Sequence, residues 1–173
     1  MRRVLVVGMS GAGKTTVARR LAGALGAPFH EMDALALGPG FSRRPELLDD
    51  VHRVTGADAW VVDSWGDPSV RDRLWGRADT VVWLDYPFAL VVARLLRRSV
   101  RRTLTRERVF GGNRETLAGW FRRDHPVVHA VTTFGERRRY LARRTTGTAH
   151  LTTLRFTDPR EVERWLRRLE TAP

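Results

Sequence analysis

A three-layer α/β/α fold around a parallel sheet of about five strands is the class this sequence predicts. Short apolar runs rich in β-branched residues alternate with longer amphipathic stretches. The apolar runs are continuous rather than alternating, as expected of strands covered on both faces. The chain has 173 residues, 42% of them hydrophobic, which is enough to bury one core within a single domain, 1–173.

Each element has its own justification. Val4–Val7 is a buried strand. The amphipathic stretch 14–25 is a helix with Val17, Ala18, Leu21 and Leu25 on one face, stopped by Gly26. Pro28-Phe29-His30 is a short second strand. Residues 34–57 are rich in Gly and Pro up to Pro45 and then become a polar helix. Trp60-Val61-Val62 and Thr80–Leu84 are further buried strands, ending at Asp63 and Asp85. From Pro87 a helix presents Phe88, Val91, Val92, Leu95 and Leu96 at helical spacing. Residues 103–116 lose that period and hold Gly111-Gly112-Asn113, a loop signal. A helix from about Glu115 to Arg144, interrupted near Pro126, precedes a last strand at 151–156. Asp158-Pro159-Arg160-Glu161 is a strong helix start, with an N-cap, a proline at the first position and a glutamate three after the cap.

Charge is the chain's other signature. It carries 31 basic and 19 acidic residues, net +12. Of the basic residues only Lys14 is a lysine. Fifteen arginines lie between 94 and 144 against four acidic residues, so eleven of the twelve net charges fall there. Arg94, Arg98, Arg101 and Arg102 fall on one helix stripe, expected opposite the apolar one. Such a balance points to polyanionic partners, nucleotide or nucleic acid. The absence of cysteine excludes a disulfide scaffold, a thiol nucleophile and thiolate-held zinc. Arg2 and Arg3 before Val4–Val7 imitate a signal peptide. That run ends at Gly8, short of the roughly 7–15 apolar residues needed, and nothing approaches the ~18 of a membrane span. The expected location is cytoplasmic, with no membrane partner.

Gly8-Met9-Ser10-Gly11-Ala12-Gly13-Lys14-Thr15 matches G-x-x-x-x-G-K-[ST] at every fixed position, between a buried strand and an amphipathic helix. This is a phosphate-binding loop, the P-loop of nucleoside triphosphate-binding proteins. Its glycines let successive N–H groups turn toward phosphate oxygens, and the helix adds its positive end. The candidate ATP-binding residues are Gly8, Ser10, Gly11, Ala12, Gly13, Lys14, Thr15 and Thr16. Lys14 reaches the β- and γ-phosphates, and the Thr15 hydroxyl suits Mg2+, which prefers oxygen ligands. A compact point charge is needed at Lys14, where a planar guanidinium does not substitute. No guanine-reading Asn-Lys-x-Asp is present, and the chain is short for a helicase core. The small-kinase class remains.

The ordered set of the P-loop, His30-Glu31-Met32-Asp33, Val61-Val62-Asp63, Val81-Val82-Trp83-Leu84-Asp85-Tyr86-Pro87 and Gly112-Asn113-Arg114-Glu115 resembles the adenylate-kinase-like kinases. Within them it is closest to the topology modulation branch. The resemblance covers nearly the whole chain. It implies ATP and Mg2+ as cofactors, an acceptor-binding segment at about 34–57 and a mobile lid at about 103–118. It also implies a magnesium role for Asp63, although Ser64 stands where the family has glycine.

Asp33 matches a position where kinases with hydroxyl acceptors carry an aspartate, as general base or acceptor holder; the alternative is an N-cap. Arg98 and Arg102 on the long helix, with Arg106 and Arg114 in the lid, are candidates for stabilising the moving phosphoryl group. Arg73 and Trp65 are candidates for the acceptor side, Trp65 by stacking on a base or packing beneath the acceptor segment. Asp85 reads as the N-cap of the long helix. The function expected is ATP-dependent phosphoryl transfer to a nucleotide, nucleoside or other small acceptor. The alternatives are a nucleotide-dependent nucleic-acid-binding regulator and a simple ATPase.

Overall fold

The computed structural model describes residues 1–105 and 126–171. Five strands, β1 (Arg3–Gly8), β2 (Phe29–His30), β3 (Trp60–Val62), β4 (Thr80–Leu84) and β5 (Thr152–Phe156), form one sheet in the order β2-β3-β1-β4-β5. Every pairing is parallel. The helices are α1 (Lys14–Leu25), α2 (Met32–Ala36), α3 (Leu47–Gly56), α4 (Arg71–Arg77), α5 (Phe88–Thr105), α6 (Pro126–Thr146) and α7 (Pro159–Glu170). A single 3-10 turn, Pro39–Phe41, lies between α2 and α3. Among the described residues no helix is long and apolar enough to cross a membrane.

The two faces of the sheet follow from strand alternation. Leu5, Val7, Trp60, Val62, Val81 and Trp83 pack on one side with Met32, Leu47, Val51, Leu74, Trp75 and Leu141, so α2, α3, α4 and α6 cover that face. Val4, Val6, Val61, Val82 and Leu84 pack on the other with Val17, Leu21, Val91, Val162 and Leu166, from α1, α5 and α7. Val4 to Val7 are fully buried, which is why β1 reads as an unbroken apolar run and can hold the sheet's centre. Burial of side chains of this size contributes about 1.5–3 kcal/mol each.

Several boundaries differ from the sequence expectation. Helix α5 runs to Thr105, past the predicted loop start at 103. Its arginines flank the apolar stripe rather than oppose it. Arg94, Arg98 and Arg102 are half-buried beside Val91, Leu95 and Ser99, and Arg101 is exposed. Helix α6 is described from Pro126 and runs to Thr146, past the expected end at Arg144; the expected stretch from 115 to 125 lies outside the described residues. Helix α4 lies in a stretch for which the sequence suggested no element; it has only seven residues after Gly66-Asp67-Pro68. The predicted helix start at Asp158 forms as expected, its carboxylate accepting from the Arg160 N–H at 2.8 Å. Asp85 is not the N-cap of α5: it lies three residues before Phe88, and its carboxylate is committed to two arginines elsewhere.

The sheet presents the C-terminal ends of β1, β3 and β4 side by side, where ligands of open α/β sheets bind. Close packing there demands glycine. A Cβ on Gly8, at φ +150°, would lie 2.7 Å from the Leu84 carbonyl oxygen. Gly8→Ala is therefore expected to lower unfolding free energy by about 2–4 kcal/mol through strain and overpacking, measured by urea denaturation. A change within ~0.5 kcal/mol, the usual range for a surface substitution, would contradict this packing.

Candidate functional site

The P-loop leaves β1 at Gly8 and enters α1 at Lys14. Gly11 takes φ +86°, and a Cβ there would meet the Val91 carbonyl oxygen at 2.9 Å and Leu95 at 3.1 Å. Helix α5 thus backs the loop directly. Ala12 is buried, and its N–H donates to the Met9 carbonyl at 3.1 Å. Ser10 and Thr15 are half-buried, and Thr16 is exposed.

Lys14 Nζ curls back to donate to the Met9 carbonyl at 3.2 Å. Burial pushes its pKa below the ordinary lysine value. Asp63 and Asp33 oppose that shift, and the positive charges of Arg98 and Arg137 add to it. The arrangement is a concentrated positive site that an anion would relieve.

Thr15 Oγ1 donates to Asp63 Oδ2 at 2.5 Å. The other carboxylate oxygen, Oδ1, accepts the Met32 N–H at 3.1 Å. Asp63 is 6% exposed, and burial raises its pKa against the hydrogen bonds from Thr15 and Met32 and the pull of Lys14. A hydroxyl and a carboxylate in contact form a donor set of hard oxygens suited to magnesium. A cation there would also offset the cost of ionising a buried carboxylate. Thr15 and Asp63 therefore fit Mg2+. Among the described residues no three His, Cys, Asp or Glu side chains converge as a metal cluster, so the remaining ligands would be water and phosphate oxygens.

Asp33 is exposed in the first turn of α2, whose N-cap is Glu31 rather than Asp33. Its charge is felt by Lys14, Asp63 and Glu31, so it lies near the P-loop. Arg98 and Arg102 lie one turn apart on α5, and the charge of Arg98 is felt by Lys14. Arg94, one turn earlier, donates to the Ala12 carbonyl at 3.4 Å. Arg106, Arg114 and the lid from residue 106 to 118 lie outside the described residues. Arg73 Nε donates to Thr55 Oγ1 at 2.9 Å, tying α4 to α3.

Trp65 is half-buried two residues after Asp63, with its ring edge-on to Tyr140 at 5.2 Å. The Arg71 guanidinium lies 4.2 Å and that of Arg137 4.8 Å from the Trp65 ring centre. Burial, with Arg71 nearby, lowers the Arg137 pKa. Arg71 also donates to the Gly66 carbonyl at 3.2 Å. Two residues after Ser64, Gly66 takes φ +92°, and its N–H donates to Ser64 Oγ at 3.1 Å. Arg71, Arg137 and Tyr140 did not stand out in the sequence. The only signal available was their position one or more helical turns from other arginines and aromatics, which many residues of this chain share.

Residues 4–65 match the family model described as ATPase family associated with various cellular activities (AAA), a span from β1 to Trp65 that contains the P-loop and Asp63. No curated protein matches the sequence. Among solved structures, a shikimate kinase from Acinetobacter baumannii in complex with shikimate is 19% identical, with a TM-score of 0.58 over 98% of this chain and 90% of that one. Shikimate kinase from Aquifex aeolicus is 18% identical, with a TM-score of 0.55 over 97% and 96%. A gluconokinase from Sinorhizobium meliloti is 22% identical, with a TM-score of 0.51 over 98% and 93%. These similarities establish the α/β P-loop fold and do not single out the topology modulation branch.

The raised Asp63 pKa has a consequence for stability. Below the ordinary carboxylate value Asp63 is protonated whether folded or not, and its ionisation costs the fold nothing. As pH rises from there through the higher folded-state value, the unfolded chain sheds its proton more readily and stability falls. Asp63→Asn, which keeps an acceptor for Met32, should therefore melt higher than wild type near pH 7 without nucleotide or metal. That advantage should shrink as pH falls into the carboxylate range. Melting curves from pH 4 to pH 8 check this; a gap independent of pH would refute it.

Proposed function

We propose that this protein is an ATP- and Mg2+-dependent kinase that phosphorylates a hydroxyl of a small molecule. The observation that carries the reading is the convergence of the P-loop lysine, the Thr15–Asp63 pair and Asp33 at one end of the sheet. The P-loop kinase fold supports it, since the similar structures are of shikimate kinases and a gluconokinase. Asp33 is what favours a hydroxyl over a nucleotide phosphate. A phosphate oxygen is already anionic and needs no base, whereas an alcohol is helped by a carboxylate that takes its proton.

The P-loop N–H groups and Lys14 hold the β- and γ-phosphates of ATP. Thr15 and Asp63 hold magnesium, which when bound neutralises charge on the phosphate oxygens. The acceptor lies between Asp33 and the wall of Trp65, Arg71 and Arg137. Its hydroxyl oxygen bonds to the γ-phosphorus as the bond from that phosphorus to the bridging oxygen breaks. The hydroxyl proton passes to Asp33 and ADP departs. Arg98 and Arg137, both felt by Lys14, face the charge that spreads over the transferring group. Two guanidiniums beside the acceptor space also favour an acceptor that carries a carboxylate or other anionic group. Arg102, and Arg106 and Arg114 of the lid, are the further candidates for closing over the phosphates.

Lys14→Ala should cut ADP formation by at least about 10²-fold with the melting transition retained. Asp33→Asn should lower kcat by about 10²- to 10⁴-fold while the KM for ATP changes little. Undiminished turnover in Lys14→Ala would overturn the proposal.

A further inference from the structure

We propose that Asp85 is a positioning residue for this transfer, holding α6 through Arg138 so that Arg137 reaches the phosphate site; the inference rests on the kinase reading above. Asp85 follows β4 directly, next to the strand that carries the P-loop, and its N–H donates to the Phe156 carbonyl at 2.9 Å. Its carboxylate is thus fixed to the sheet rather than to a loop. That side chain is 3% exposed, yet it accepts from two arginines that are each 49% exposed. Arg138 binds it from α6 through Nε at 2.7 Å and Nη2 at 3.0 Å. Arg155 binds it from β5 through Nε at 2.9 Å and Nη2 at 2.5 Å, and lies 4.7 Å from the Trp83 ring centre.

Helical geometry gives the two arms different consequences. Arg138 is the residue after Arg137, about 100° around α6. One face of α6 carries Arg137, Tyr140 and Arg144, which meet Trp65 and, through Arg144, Asp72 and Trp75. The adjoining face carries Phe134 and Arg138, which meet Phe88 and Asp85. The bidentate Arg138–Asp85 pair therefore fixes the roll of α6, and with it the approach of Arg137 to Trp65 and Lys14. Arg155 holds the same carboxylate but belongs to the sheet, so losing it leaves α6 in place.

The test is a comparison of Arg138→Gln with Arg155→Gln in the full chain, using MgATP turnover and the emission of Trp65. The latter is obtained by subtracting the spectrum of the matching Trp65→Phe protein. Arg138→Gln should lower kcat about 10- to 100-fold, the scale of an ~1 Å misplacement, with the KM for ATP within about threefold. It should also shift Trp65 emission. Arg155→Gln should leave kcat within about twofold and the emission unchanged, and Arg138→Lys should recover part of the loss. In an Arg137→Ala background, Arg138→Gln should add no further loss, because both changes act through one group. Equal effects from the two glutamine variants, or additivity with Arg137→Ala, would overturn the proposal. If wild type shows no Lys14-dependent turnover, the kinase reading fails, and the Trp65 emission alone decides whether Arg138 positions α6.

Discussion

Asp63 joins three parts of the protein through one carboxylate. It ends β3, accepts the Thr15 hydroxyl from the first turn of α1, and accepts the Met32 N–H at the start of α2. The P-loop and the start of α2 are therefore registered against each other through a single buried side chain. Burial raises its pKa, so this junction is held at a cost in the absence of a cation. A site that stabilises the fold least when empty of charge partners gains most on binding them, a common relation between stability and function.

The same logic extends to the arginines. The surplus positive charge between 94 and 144 first suggested a nucleic-acid footprint. In the fold, Arg94 reaches the P-loop backbone, the charges of Arg98 and Arg137 are felt by Lys14, Arg138 is bound to Asp85, and Arg144 is bound to Asp72. Part of that charge is thus used inside the molecule. Aromatic rings carry part of the load: Trp65 meets Arg71 and Arg137, and Trp83 meets Arg155. Stacking on a ring lets a weakly hydrated guanidinium sit half-buried where an ammonium would not.

The P-loop, the four longer strands, α1 and α7 were legible in the sequence because each rests on local pattern: glycine spacing, apolar or β-branched runs, caps. Asp63 was legible because it ends such a run. Asp85 looked identical by that criterion and was misread as a cap, since nothing local reveals that Arg138 and Arg155, 53 and 70 residues away, converge on it. Arg71 and Arg137 were hidden for a similar reason. In a chain with thirty arginines, the choice of those that face the site depends on how α4 and α6 are rolled against the sheet. Arg73 drew notice instead, and its guanidinium lies against Thr55.

The most direct test is an acceptor screen with MgATP. Nucleotides, nucleosides and small hydroxyl compounds, in matched charged and neutral pairs, would be followed for both ADP and the fate of the γ-phosphoryl group. The expected result is ADP formation that depends on one class of hydroxyl compound, with one phosphoryl group transferred to it for each ADP formed. ADP matched by free phosphate whatever compound is added would contradict a kinase and leave a simple ATPase.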